Sequence, residues 1–315
     1  MSNEKELIRA EEIKEKEFPI HLYFVLALVG ITLIFTVLRI LLYFYAIDPY
    51  VDRNKDVDYL ILIEGMKNGL INFYDPIERA EWPPYYLYFW YFLFFPMYLI
   101  PVEIGVYIWD MLRLISVGYL FFKAKNLFVN KKDLIIFYVL CSVGFAYDAF
   151  FNNVNFVIFF FLFNSYIAWE KDKKWLAGIL FTLATFKINA LIFIPTLLFI
   201  KKIKFKDLYY YLIPLFLVCI PYLIFPNYFV QMFNNWMYSD ERVQGVLIID
   251  SIAWKALQPS HLMFLSLLII IFMENLENIS LEKRKSLFRV LFPLIFITYY
   301  AYLTVIVHFI GRVSA

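Results

Sequence analysis

Apolar residues gather into long, nearly unbroken runs at 21–46, 84–101, 103–122, 134–150, 154–169, 175–186, 189–200, 209–225, 261–273 and 287–310, with charged, Pro-rich or Asn-rich punctuation between them. A segment that crosses about 30 Å of hydrocarbon at 1.5 Å per residue needs roughly 20 mostly apolar residues, and lipid cannot satisfy unpaired backbone groups, so this pattern predicts membrane helices. The first run, His21 to Ala46, follows a mostly charged tail without a small-residue cleavage site and reads as an anchor rather than a signal peptide. The run 84–101 differs from the rest. Pro96 and Pro101 interrupt it, and each removes a backbone donor and strains a helix interior.

The distribution of positive charge decides how that run is used. If 84–101 does not cross, the N-terminal tail and the loops 123–133, 170–174, 201–207 and 274–289 share one side and carry 19 Lys and Arg, against 7 in the opposite loops. Cytoplasmic loops concentrate Lys and Arg, so this arrangement is the expected one. The chain is therefore predicted to be an all-α integral membrane protein, a polytopic helical bundle with about nine crossings plus one half-inserted helix that returns to the outer face. A charged cytoplasmic tail, 1–20, precedes a single multi-span domain, 21–315, with outer loops 47–83 and 225–260.

Composition narrows the function. With 63% hydrophobic and 22% aromatic residues the chain is far more apolar than a soluble domain. The net charge of +2 says little about partners, because Lys and Arg concentrate in particular loops, and no nucleic-acid partner is expected; both cysteines, Cys141 and Cys219, lie inside apolar runs where a thiol serves as a small hydrophobe. No HExxH, CxxC, Walker or Gly-rich phosphate loop is present, so neither a metal nor a nucleotide cofactor is expected.

The predicted topology gathers every chemically unusual stretch on one side: residues 48–83, "YDAFFNNVN" (Tyr147–Asn155), the "FKIN" turn around Lys187, and 225–260. Asp48, Asp52, Asp56 and Asp58 crowd the first of these. From Asp58 onward Leu60, Ile63, Met66, Leu70 and Phe73 recur at helical spacing, which predicts an amphipathic helix at the membrane interface. Asp58 suits the N-cap of that helix; it equally suits a general base for a hydroxyl nucleophile. The aromatic cluster Trp82, Tyr85, Tyr86, Tyr88, Phe89 and Trp90 reads first as an interface belt, and second as a wall for a sugar ring or an isoprenoid chain. Glu78 and Glu81 stand close to it as candidates for holding an acceptor hydroxyl. Lys187 is an ionisable residue between two apolar runs, open to a functional or a snorkelling role. Asp110 and Arg113, three apart on one helix, are expected to pair structurally.

In their order these features resemble the polytopic GT-C glycosyltransferases, specifically glycosyltransferase family 87 and related polyprenyl-phosphate-mannose-dependent mannosyltransferases. The resemblance lies in an Asp in a "VDY" context after the first helix, "NGLINFY", a "WPP" entry, the Asn-rich "NNVN" and "LAGILFTLATFK", covering roughly Ile31 to Pro195, with weaker agreement in "NNWMYSDERVQGVLIIDSIAW". It implies an inverting transfer of a sugar, mannose in the first instance, from a polyprenyl-phosphate donor to a lipid or glycan acceptor at the extracytoplasmic or luminal face. It implies Asp58 as base with Asp56 as its alternative, Lys187 or Arg242 for the donor phosphate, and Glu81, Trp82, Tyr85, Asn153 and Asn155 along the acceptor or sugar groove. A multi-pass transporter or lipid flippase is the rival class. Transporters commonly carry inverted repeats that meet at mid-membrane, and no second half here resembles the first.

Overall fold

The computed structural model describes residues 19–45, 55–75, 84–127, 131–187, 190–191, 193–199 and 202–235. The runs 261–273 and 287–310, and with them Glu78, Glu81, Trp82 and Arg242, lie outside the described residues. Every regular element among those described is helical. In chain order they are α1 (Ile20–Phe44), α2 (Val57–Lys67), α3 (Trp90–Tyr98), α4 (Val102–Ala124), α5 (Lys131–Phe151), α6 (Asn155–Glu170), α7 (Lys174–Ala184), α8 (Phe193–Phe199) and α9 (Tyr209–Ile224), and residues 226–235 are also helical.

Among the described residues, four stretches are long and apolar enough to cross a membrane: Ile20–Phe44, Val102–Ala124, Leu134–Phe151 and Phe205–Ile224. Others fall short. Helix α3 has nine residues with Pro96 inside it, about 13 Å of rise, and α7 has eleven, about 16 Å, against roughly 30 Å of hydrocarbon. The run 84–101 thus folds as an irregular entry followed by a short helix that contains Pro96 and stops before Pro101.

Helix α1 lies against α4 and α5 and turns its other side outward, with Leu26, Leu33, Ile34, Val37 and Leu41 exposed. Helices α6 and α7 form an antiparallel hairpin, closed by a turn in which Asp172 takes φ 57° and Lys173 N–H donates to Ala168 O at 2.9 Å. Helix α9 crosses α7 so closely that a Cβ on Gly178 would sit 1.8 Å from Tyr210 O, so only glycine fits there.

Helix α2 departs from the sequence expectation in two ways. It stops at Lys67 because Gly69, at φ 73°, ends it with a bond from Gly69 N–H to Met66 O at 3.1 Å, so Leu70 and Phe73 stand beyond the helix. Its buried side is Tyr59, Leu62, Ile63 and Met66, spaced i, i+3, i+4 and i+7 and packed inward on α3 and α4. Of the aromatic cluster, Tyr86, Phe89 and Trp90 are buried and Tyr85 and Tyr88 partly so. Trp90 is 1% exposed and is wedged between Phe94 and Phe186, while Tyr86 stacks on Trp90 at 5.1 Å, so these rings form core rather than a lipid-facing belt.

Candidate functional site

Two separate polar clusters form where the start of α2 meets the α5–α6 junction. The first is built on Asp56. This residue, not Asp58, occupies the N-cap position of α2, in the left-handed region at φ 72° and without a side-chain cap bond. Its carboxylate turns away from the helix and accepts from Arg39 Nε at 2.5 Å, Arg39 Nη2 at 2.9 Å, Lys55 Nζ at 2.7 Å and Asn152 Nδ2 at 2.7 Å. The backbone follows the side chain: Asp56 N–H donates to Phe150 O at 3.1 Å, and Lys55 Nζ to Ala149 O at 2.7 Å. Burial pushes the Lys55 ammonium down to about 8, while the neighbouring Asp56 opposes that shift.

The same cluster extends into the bundle. Arg39 Nη2 lies 2.7 Å from Asp110 Oδ2, and Arg113 Nη1 donates to Asp110 Oδ1 at 2.8 Å, so the paired Asp110 and Arg113 of one helix join a larger network. Arg113 also donates to Asn152 Oδ1. Asn152 ends α5 at φ 54°, a conformation that asparagine tolerates better than most residues, and its amide serves Asp56 and Arg113 at once. Trp109 Nε1 holds the junction from below, donating to the carbonyls of Asn152 at 3.2 Å and Asn153 at 3.3 Å.

The second cluster is built on Asp58, in the first turn of α2 and two residues beyond the turn that the first cluster pins. The carboxylate accepts from Asn153 Nδ2. Asn153 Oδ1 in turn accepts from Lys187 Nζ at 3.5 Å and from Val154 N–H at 2.7 Å. Lys187 Nζ also donates to Asn155 Oδ1 at 3.4 Å, Asn155 Nδ2 donates to Asp148 Oδ1 at 3.0 Å, and Asp148 Oδ2 accepts the Phe156 N–H at 2.7 Å. The order in space is carboxylate, amide, ammonium, amide, carboxylate. Lys187 is 3% exposed, so it does not snorkel to a surface, whereas Asp58 keeps partial exposure.

Burial pushes the Asp58 carboxyl up to about 6, with Lys187 opposing and Asp148 adding to the shift. Burial likewise pushes the Lys187 ammonium down to about 8, against the pull of Asp58 and Asp148. Asp58 is thus a carboxylate that can take up a proton near neutrality, and Lys187 a cation held in a site with little water.

Tyr86 closes one side, its ring 5.9 Å from Lys187 Nζ, and Tyr85 stacks on it at 4.8 Å. A bond from Leu87 N–H to Phe186 O at 2.9 Å fixes this wall to the Lys187 segment. From the other side Tyr74 O–H donates to Tyr86 O at 2.8 Å, and Asn235 Nδ2 donates to the carbonyls of Tyr74 and Pro84 at 2.7 and 2.8 Å.

Of the residues singled out in the sequence, Asp58, Lys187, Asn153, Asn155 and Tyr85 come together here, and Asp56 stands in the adjacent ion cluster. Asp148, Asn152, Lys55 and Arg39 were not chosen as site residues. A detectable signal existed for Asp148: it is the sole carboxylate in the run 134–150 and stands one helical turn before the Asn-rich stretch that begins at Asn152.

A comparison with protein families matches the chain to the model of glycosyltransferase family 87 over residues 85–307, which is more than two thirds of its length. The match takes in Asp148, Asn153, Asn155 and Lys187 and begins after α2, so the place of Asp58 is given by the geometry. Neither a curated protein nor a solved structure matches.

Proposed function

The chain belongs to glycosyltransferase family 87, and from that premise we propose that it transfers a sugar, mannose in the first instance, from a polyprenyl-phosphate donor to a hydroxyl of a lipid or glycan acceptor. The reading places the reaction at the outer face of a membrane and makes it an inverting, single displacement. The observation that supports it most is Asn153, one amide that donates to Asp58 and accepts from Lys187. A base and a cation are thereby held one side chain apart, a spacing suited to an acceptor hydroxyl that gives its proton to the one and a donor whose phosphate departs beside the other.

In this mechanism the acceptor oxygen attacks the anomeric carbon from the face opposite the phosphate while Asp58 takes its proton. The bond from the anomeric carbon to the phosphate oxygen breaks, its electron pair stays on that oxygen, and the lipid phosphate leaves with an added negative charge. The Lys187 ammonium, in a site of low effective dielectric, stabilises that charge far more than it would in water. Asn153 and Asn155 orient the ammonium, and Tyr85 and Tyr86 offer ring faces to the sugar. Helices α6 and α7, about 24 and 16 Å long, are both short for a crossing, which supports a site recessed below the outer surface where a lipid-borne head group can reach it. Glu81, Trp82 and Arg242 remain candidates for the acceptor side and for the donor phosphate.

Purified protein incubated with radiolabelled polyprenyl-phosphate mannose and a lipid extract should move label to an acceptor with inversion at the anomeric carbon. Transfer from a nucleotide sugar alone would sink the proposal. Turnover against pH should be bell-shaped. It should fall below about 6, as Asp58 becomes protonated and can no longer accept a proton, and above about 8, as Lys187 loses its charge. A flat profile across pH 5 to 9 would count against both roles. For the sidedness, in a background lacking Cys141 and Cys219, Asn227→Cys should react with an impermeant thiol reagent in intact cells, and Lys171→Cys only after permeabilisation. The reverse pattern would invert the topology.

A further inference from the structure

Asp148 does not reach toward Asp58 as a second base would, and its surroundings indicate a different task. One carboxylate oxygen receives the Phe156 N–H at 2.7 Å and so tethers the first turn of α6; the other receives Asn155 Nδ2 at 3.0 Å. The carbonyl of that same Asn155 amide receives Lys187 Nζ at 3.4 Å. An amide whose nitrogen is committed to a carboxylate must present its oxygen to the opposite side, so Asp148 decides which end of Asn155 faces the ammonium. Without the carboxylate the amide is free to flip and to present two N–H donors to a cation.

We propose that Asp148 is a positioning residue for the Lys187 ammonium, acting through Asn155 and not touching the substrate. The proposal rests on the assignment of Lys187 to the donor phosphate. Among the groups that face Lys187 are Asp58 from α2, Asp148 from α5, Asn153 of the α5–α6 junction, Asn155 at the start of α6, and the ring of Tyr86. Arg113 of α4 also acts electrostatically on Asp148. Asp148 is therefore the charged group that supports Lys187 without taking part in the proton transfer, because Asp58 is neutralised each time it accepts a proton. Through Asn155 its carboxylate keeps the ammonium aimed, and its negative charge favours the protonated ammonium while the phosphate departs.

The competing account is that Asp148 only fastens α6. The two separate by pH and by coupling. Asp148→Asn keeps an acceptor for the Phe156 N–H but loses the charge, so the alkaline limb of the turnover profile should move down by about 1 pH unit. Asn155→Ala breaks the link to Lys187 and leaves the bond to Phe156 intact, and should lower the rate at pH 7 by on the order of 10-fold, with a larger loss at pH 8. Placed on Lys187→Ala, which is itself expected to be slow, Asp148→Asn should cause no further loss. An unmoved alkaline limb in both single variants, or a full additional loss in the Lys187→Ala background, overturns the positioning role while leaving the donor-phosphate assignment standing. If Lys187→Ala instead turns over at the wild-type rate, the assignment itself fails and the positioning role fails with it.

Discussion

Asp58→Asn should leave the protein folded and reduce sugar transfer by a factor of ~10² to 10⁴, the usual contribution of a general base. The substitution keeps the size of the side chain and an oxygen to accept from Asn153, and Asp58 is not the N-cap, so α2 does not depend on its charge. Unfolding stability should change by less than about 1 kcal/mol. The residual rate should also lose its acid limb near pH 6, since the group that titrates there is gone. Full activity in this variant sinks the assignment, and a large loss of stability would make Asp58 a structural carboxylate.

Two residues away the expected result is the opposite in kind. Asp56→Ala should destabilise the protein by roughly 3–5 kcal/mol, because it leaves Arg39 and Lys55 buried without their shared carboxylate. Side-chain exposures of 11% for Arg39, 1% for Lys55 and 8% for Asp56 leave little solvent to make up the loss. The N-terminal turn of α2 would lose its attachment to Asn152 as well, so activity should fall through misplacement of Asp58. Thermal unfolding in detergent, compared with Asp58→Asn under the same conditions, checks the contrast. A stable but inactive Asp56→Ala protein would transfer the base to Asp56.

The contrast explains how two aspartates in one short segment come to differ. Both precede or begin the same helix, and both can cap it or act as a base. The left-handed conformation at Asp56 aims its carboxylate toward α1 and α5, while Asp58, inside the first helical turn, faces the α6 start and Lys187. A difference of two residues at a helix entry thus becomes a difference of compartment.

What the chain's sequence determined by itself was its division into apolar helices. Run length and apolar content are local properties, and lipid forces any such run to satisfy its own backbone, so the runs 21–46, 103–122, 134–150, 154–169 and 209–225 correspond closely to α1, α4, α5, α6 and α9. Pro101, between α3 and α4, was likewise legible as a break, because its backbone effect needs no partner, whereas the stop of α2 before Gly69 overrode a helical spacing that runs on to Phe73. The unusual stretches were legible too, as polar residues in an apolar setting. Pairing was not. Asp56 and Asn152 are 96 positions apart, Asp58 and Asn153 are 95, and Lys187 and Asn155 are 32. Several aspartates and asparagines offered chemically equivalent choices, and only the packing of α2 on the α5–α6 junction selected among them. The belt reading of the aromatic residues fails for the same reason: an amphipathic ring has the same composition at a lipid interface and in a core, and its burial is settled by what folds over it.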